Sequence, residues 1–230
     1  MRLDTIAAHG HHSRAGRCPI KEVPVLANWI TLSRLPLLAI NVLVLFLAPP
    51  EVRLAGVVLL FVGLMLDTVD GVVARKTQQT SLFGSVLDIA ADRTYELVLW
   101  VSFASLQLIP VAIPLIVIAR TTITDAVRGI GVSQGAAPFS QHRTALGKFL
   151  VGSTVMRVGY SVSKIAAFVL LATAQALGGF AAGSGRAVLG ARLLEAGQAV
   201  AWVAVGFCVL RGLPVVIHGF KEHWGVTVRH

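Results

Sequence analysis

Residues 67–92 read DTVDGVVARKTQQTSLFGSVLDIAAD, four aspartates set between two apolar runs of membrane-spanning length. Asp67, Asp70, Gly71 and Ala74 step i, i+3, i+4, i+7, which puts them on one face at the end of a helix. Gly84, Asp88 and Asp92 step i, i+4, i+8 and share a face at the start of the next helix. The connection RKTQQTSLF (75–83) is short enough to make the two helices antiparallel neighbours, so both acidic faces can meet across one cleft. A carboxylate at membrane depth costs roughly 2.5–3.5 kcal/mol unpaired. Four of them need compensation, yet only Arg75, Lys76 and Arg93 are basic nearby. Divalent cations would join the four, and an all-oxygen ligand set suits Mg²⁺, Mn²⁺ or Ca²⁺ rather than zinc.

Composition agrees with that placement. Of 230 residues, 55% are hydrophobic and 13% charged, with a mean hydropathy of +0.76. Soluble domains carry about 25% charged residues, so the chain reads as an all-α integral membrane protein. Six runs reach the length of roughly 20 apolar residues that a span requires: 27–48, 54–76, 84–108, 110–131, 145–178 and 190–218. Pro49-Pro50 separates the first two, Pro110 opens the fourth, and GGFAAGSG (178–185) is a glycine-rich turn before the sixth. The fifth run is long for one span, so one of its ends is expected along the interface. Residues 1–26 read as a cytosolic tail with a short interfacial segment, 27–220 as one six-helix domain with a cytosol-facing polar cleft, and 221–230 as a second cytosolic tail.

Basic residues set the orientation. With the N-terminus inside, twelve Lys and Arg fall in the tails and cytosolic loops, against Arg53, Arg186 and Arg192 on the other side. The net charge of +9 then points to lipid headgroups rather than nucleic acid as the partner. His9, His11 and His12 fit a solvated tail better than a metal site, and Cys18 and Cys208 make no disulfide framework.

The eight positions Asp67, Asp70, Gly71, Ala74, Arg75, Gly84, Asp88 and Asp92 match without a gap the pattern D-x2-D-G-x2-A-R-x8-G-x3-D-x3-D. The chain thereby resembles the CDP-alcohol phosphotransferase family, whose six-span architecture also carries this signature at the second-to-third junction. The resemblance implies transfer of a phosphatidyl group from CDP-diacylglycerol to an alcohol, with release of CMP. It implies two Mg²⁺ or Mn²⁺ ions on Asp67, Asp70 and Asp88, with Asp92 beside the second ion as general base. Gly71, Ala74 and Gly84 would admit the cytidine, and Arg75 would pair with donor phosphate. Small residues beside the acids also suit helix packing, and both roles are compatible. A homodimer in a bacterial plasma membrane is implied as well.

The acceptor is less directly written. NWITLSR (28–34) resembles the N-x2-T-x2-R opening of phosphatidylglycerophosphate synthases and several relatives, which adds Asn28 and Thr31 to the donor side. IARTTITDAVR (118–128) and LGK (146–148) resemble the fourth and fifth spans of those synthases. Arg120, Arg128 and Lys148 thus become candidates for the phosphate of glycerol 3-phosphate. The second lysine usual in those synthases is Leu150 here, and Arg157, Lys164 or Arg211 are the substitutes considered. Positive-inside topology alone also accounts for Arg128 and Lys148. Arg120, near mid-span, needs a partner, for which Asp125 is a candidate. Glu96 extends the Gly84–Asp88–Asp92 row one turn deeper and is expected to form a structural ion pair with Arg34 or Arg120.

Inositol phosphate, or phosphatidylglycerol as in cardiolipin synthesis, are the alternative acceptors. Serine fits poorly, because RTYELVLW (93–100) departs from the pattern that follows the last aspartate in such synthases. A cation transporter would use intramembrane carboxylates too, but would carry paired repeats or broken helices, which this sequence does not.

Overall fold

The structure is a computed structural model that describes residues 25–77, 82–133 and 153–223, with side-chain surroundings for 32–65, 86–127 and 153–217. Among these residues there are six helices and no strand: α1 (Val25–Leu47), α2 (Pro50–Thr77), α3 (Leu82–Ser105), α4 (Ala112–Ser133), α5 (Thr154–Gly178) and α6 (Gly185–His223). Two of them, 154–178 and 185–217, are long and apolar enough throughout to cross a membrane. The charges Asp88, Asp92, Arg93 and Glu96 interrupt the apolar character of α3.

Local chemistry explains where the helices begin and end. Pro50 occupies the first position of α2, where its missing N–H is not needed, and the first helical bond runs from Arg53 N–H to the Pro49 carbonyl at 3.0 Å. Ser153 caps α5 by accepting from Met156 N–H at 3.3 Å. Ser184 does the same for α6, accepting from Ala187 N–H at 3.2 Å. That cap starts α6 at Gly185 rather than near 190, because a serine hydroxyl satisfies an otherwise unpaired N–H. The glycine-rich turn falls where expected, with Gly183 at φ +82°. For the fifth run, the described helix starts at Thr154, and 145–152 lie outside the described residues.

The helices pack as a closed ring in the order α1–α2–α5–α6–α4–α3, returning to α1. Across its middle, α3 meets α5 through aromatic side chains. Trp100 packs edge-on against Phe168 at 4.6 Å between centroids, and Phe103 lies 5.7 Å from the same ring. All three are buried. Over the described residues α2 and α3 are not zipped along their length, as simple antiparallel neighbours would be, because α1 packs against both. They approach at Gly63, where an added Cβ would stand 2.5 Å from the Tyr95 hydroxyl. A side chain at 63 would therefore have to displace the Tyr95 hydroxyl.

Candidate active site

Asp88 and Asp92 lie one turn apart near the start of α3. Arg34, from the third turn of α1 and only 3% exposed, brings its Nη1 to 3.6 Å from Asp88 Oδ1. Its guanidinium also lies 5.9 Å from the Tyr95 ring centroid. A buried guanidinium is stable only with anionic or π partners around it, and α3 supplies both.

Asp92 helps line a small chamber of about 50 Å³ together with Arg34, Tyr95 and Glu96, and with Ser161 and Lys164 from α5. Leu64, Ile165 and Phe168 close it on the apolar side. The space suits a few waters or one phosphate-sized group. The chamber is thus a polar recess between α1, α3 and α5, lined by the carboxylates of Asp92 and Glu96 and by the Lys164 ammonium.

Glu96, one turn deeper than Asp92, is 3% exposed and fully engaged. It accepts a hydrogen bond from the Tyr160 hydroxyl, pairs with Lys164 Nζ at 3.1 Å, and lies 3.8 Å from Arg93 Nη1. The ion pair expected of Glu96 is present, but its partners are Lys164 and Arg93 rather than Arg34 or Arg120. Arg93 in turn reaches Asp125 at 3.6 Å, so Asp125 pairs with α3 and not with Arg120. Helix geometry accounts for both corrections. Arg93 sits at i−3 from Glu96, on the same face, whereas five residues separate Arg120 from Asp125 and turn them well apart around α4.

Arg120 instead extends toward α6, over Gly212: a Cβ there would come within 2.5 Å of Arg120 Nε. That Nε is buried and makes no hydrogen bond among the described residues. The Arg211 guanidinium lies 5.9 Å from the Tyr160 ring, and Lys164 Nζ lies 5.5 Å from it, so two cations from α6 and α5 share one aromatic ring. Arg157 is exposed and does not line the chamber. Arg128 is on α4 with its side chain outside the described residues, and Lys148 lies outside them altogether.

Sequence reasoning left Tyr160, Ser161 and Arg34 without a site role and kept Lys164 only as a substitute. The i, i+4 spacing of Tyr160 and Lys164 in an apolar run was the signal available for the first and last. Asn28 and Thr31 fall on α1, Asp67, Asp70, Gly71, Ala74 and Arg75 on α2, and Gly84 on α3; their side chains lie outside the described residues. Among the described residues no group of three or more metal-binding side chains occurs. The two signature carboxylates that are described offer only oxygen donors, and the Asp88 side chain is half exposed at 50%. That donor chemistry fits a hard divalent cation.

The sequence profile described as CDP-alcohol phosphatidyltransferase matches residues 24–210. The chain is 31% identical over 68 residues to a CDP-diacylglycerol--glycerol-3-phosphate 3-phosphatidyltransferase of Rickettsia bellii, covering 30% of this chain and 38% of that protein. It is 30% identical over 128 residues to the inner membrane protein YnbA of Escherichia coli, covering 53% of this chain and 64% of that one. The chain thus spans less than two thirds of the length of either curated relative.

Proposed function

The chain belongs to the CDP-alcohol phosphatidyltransferase family, and on that premise we propose that it transfers the phosphatidyl group of CDP-diacylglycerol to glycerol 3-phosphate, giving phosphatidylglycerophosphate and CMP. The observation that carries this reading is the chamber in which Asp92 and Lys164 stand in the same wall system. A carboxylate there can accept the proton of an acceptor hydroxyl, and an ammonium there can receive an acceptor phosphate. The Rickettsia relative's name supports the choice of acceptor.

In this reading Asp92 takes the proton as the acceptor oxygen bonds to the phosphatidyl phosphorus. The bridging P–O bond to CMP breaks, and CMP leaves with that electron pair. An alcohol is a weak nucleophile at neutral pH, so a positioned carboxylate accelerates the step by about 10²–10⁴-fold. Asp67, Asp70 and Asp88 would hold two Mg²⁺ or Mn²⁺ ions, with Asp92 beside the second, and these ions would neutralise charge on the donor's phosphates when bound. Arg75 pairs with donor phosphate, and Gly71, Ala74, Gly84, Asn28 and Thr31 shape the donor side. Lys164, Arg120 and Arg211 take the acceptor phosphate, with Arg128 and Lys148 completing the set; exposed Arg157 is dropped from it. Six spans, a 27–220 membrane domain and a cytosol-facing site with both termini inside complete the proposal.

Purified protein in lipid nanodiscs with Mg²⁺ or Mn²⁺, CDP-diacylglycerol and glycerol 3-phosphate should release CMP. The comparison panel is inositol phosphate, serine and phosphatidylglycerol. Release with another member of the panel but not with glycerol 3-phosphate would reassign the acceptor, and silence with all four would end the proposal.

A further inference from the structure

At the end of the bundle opposite Asp88 and Asp92, an open groove of about 660 Å³ lies between the end of α5 and the start of α6. Its size falls within the range of small-molecule sites, about 300–1,000 Å³. Small residues form the floor, among them Ala174, Gly178 and Ala187. A Cβ built on Gly178 meets nothing within 4 Å, so the hollow continues up to the α5 backbone. Val188, which also lines the groove, is half exposed, giving it an apolar rim.

Two cations frame this apolar floor. Arg53 stands in the wall; among the described residues its buried Nε has no hydrogen-bond partner, and its Nη2 reaches the Phe46 carbonyl at 3.4 Å. Arg186 lies 4.8 Å over the ring of Phe180, itself a lining residue, which fixes the charge at the rim. Gln175 adds an amide, and none of the described lining residues is acidic. The groove sits at the level where α2 and α6 begin and α5 ends, which in a bilayer is where headgroups meet the first part of the acyl chains.

We propose that this groove is a binding site for one anionic phospholipid, with the headgroup phosphate on Arg53 and one acyl chain along the glycine and alanine floor. Charge complementarity selects the anion: the Arg53 guanidinium stands in a wall whose described residues include no acid, and its positive charge matches a phosphate. The apolar floor selects a lipid over a free anion, which would leave that surface uncovered. A zwitterionic lipid would bring a second positive group between Arg53 and Arg186, so an anionic headgroup binds better. The site is separate from the catalytic end and does not depend on which acceptor the enzyme uses.

Native mass spectrometry of the full-length protein, titrated with phosphatidylglycerol, phosphatidylcholine or inorganic phosphate, tests this. Wild type should hold one phosphatidylglycerol, with a preference over phosphatidylcholine of about tenfold, as expected for one charge-assisted contact. Arg53→Met should abolish the preference, and Arg53→Lys should keep most of it. Gly178→Leu, whose side chain enters open space rather than a neighbouring helix, should expel both lipids while leaving the thermal midpoint unchanged. Three results would overturn the proposal: phosphatidylglycerol retention unchanged in Arg53→Met and Gly178→Leu, equal binding of both lipids to wild type, or displacement of phosphatidylglycerol by inorganic phosphate.

Discussion

Glu96 and Lys164 lie 3.1 Å apart, joining α3 to α5 in the wall of the chamber that Asp92 also lines. Because Tyr160 and Arg93 hold the same carboxylate, the ammonium has a fixed position rather than a choice of rotamers. Lys164→Met removes one partner of a buried pair and should cost about 3–5 kcal/mol of stability. The double variant Glu96→Gln with Lys164→Met removes both charges and should recover much of that loss in a thermal unfolding assay. If Lys164 receives the acceptor phosphate, the double variant stays defective, with the KM for glycerol 3-phosphate raised at least about tenfold, the loss of one charge-assisted contact. Recovery of that KM together with stability would make the lysine purely structural.

Stability can be raised without touching the site. Gln107 adopts φ 58° in the turn between α3 and α4, where Leu108 N–H bonds to the Phe103 carbonyl at 3.0 Å and Gln107 N–H to that of Ala104 at 2.9 Å. This is a Schellman closure with glutamine at the left-handed position that favours glycine. The left-handed conformation costs a non-glycine residue about 1–2 kcal/mol, partly offset by the freedom glycine adds to the unfolded chain. Gln107→Gly should therefore stabilise by about 0.5–1 kcal/mol. Its effect is read as a higher unfolding midpoint with unchanged CMP release.

The helical order was legible in the sequence because length, apolarity and proline breaks act locally. The starts of α2 and α6 came earlier than apolarity alone indicated, since Pro50 and the Ser184 cap extend a helix into residues that hydropathy scores as loop. The row Gly84–Asp88–Asp92–Glu96 was readable from helical spacing, and so was the need to compensate Glu96. Its partner was not: Lys164 is separated from Glu96 by 68 residues, and only the packing of α3 against α5 brings them together. Arg34 was legible as a charged residue of the first helix, but its pairing with Asp88 rather than Glu96 was hidden for the same reason, since it depends on α1 lying against α3.

Asp92 and Asp88 share a helix face, yet the proposed roles separate them, and substitution should too. Asp92→Asn keeps the shape of the chamber wall and removes the base. CMP release should fall by about 10²–10⁴-fold, the usual weight of general base catalysis. Binding of CDP-diacylglycerol in the presence of Mn²⁺, followed by calorimetry, should persist because Asp67, Asp70 and Asp88 remain. Equal loss of binding and turnover would move Asp92 from base to ligand.

The last test concerns Arg120, whose side chain occupies the space that a methyl group on Gly212 would need. Arg120→Ala should raise the KM for the acceptor more than the KM for CDP-diacylglycerol, by about tenfold or more if the guanidinium binds phosphate. Gly212→Ala leaves the charge in place but forces the guanidinium aside, since a contact of 2.5 Å to Nε cannot be kept. It should reproduce the direction of the Arg120→Ala effect at smaller size, with some loss of stability, because Arg120 Cγ at 2.8 Å must shift along with the guanidinium. An unchanged acceptor KM in Gly212→Ala beside a raised one in Arg120→Ala would mean that charge matters there and position does not. A raised donor KM in both would assign Arg120 to the nucleotide side of the cleft.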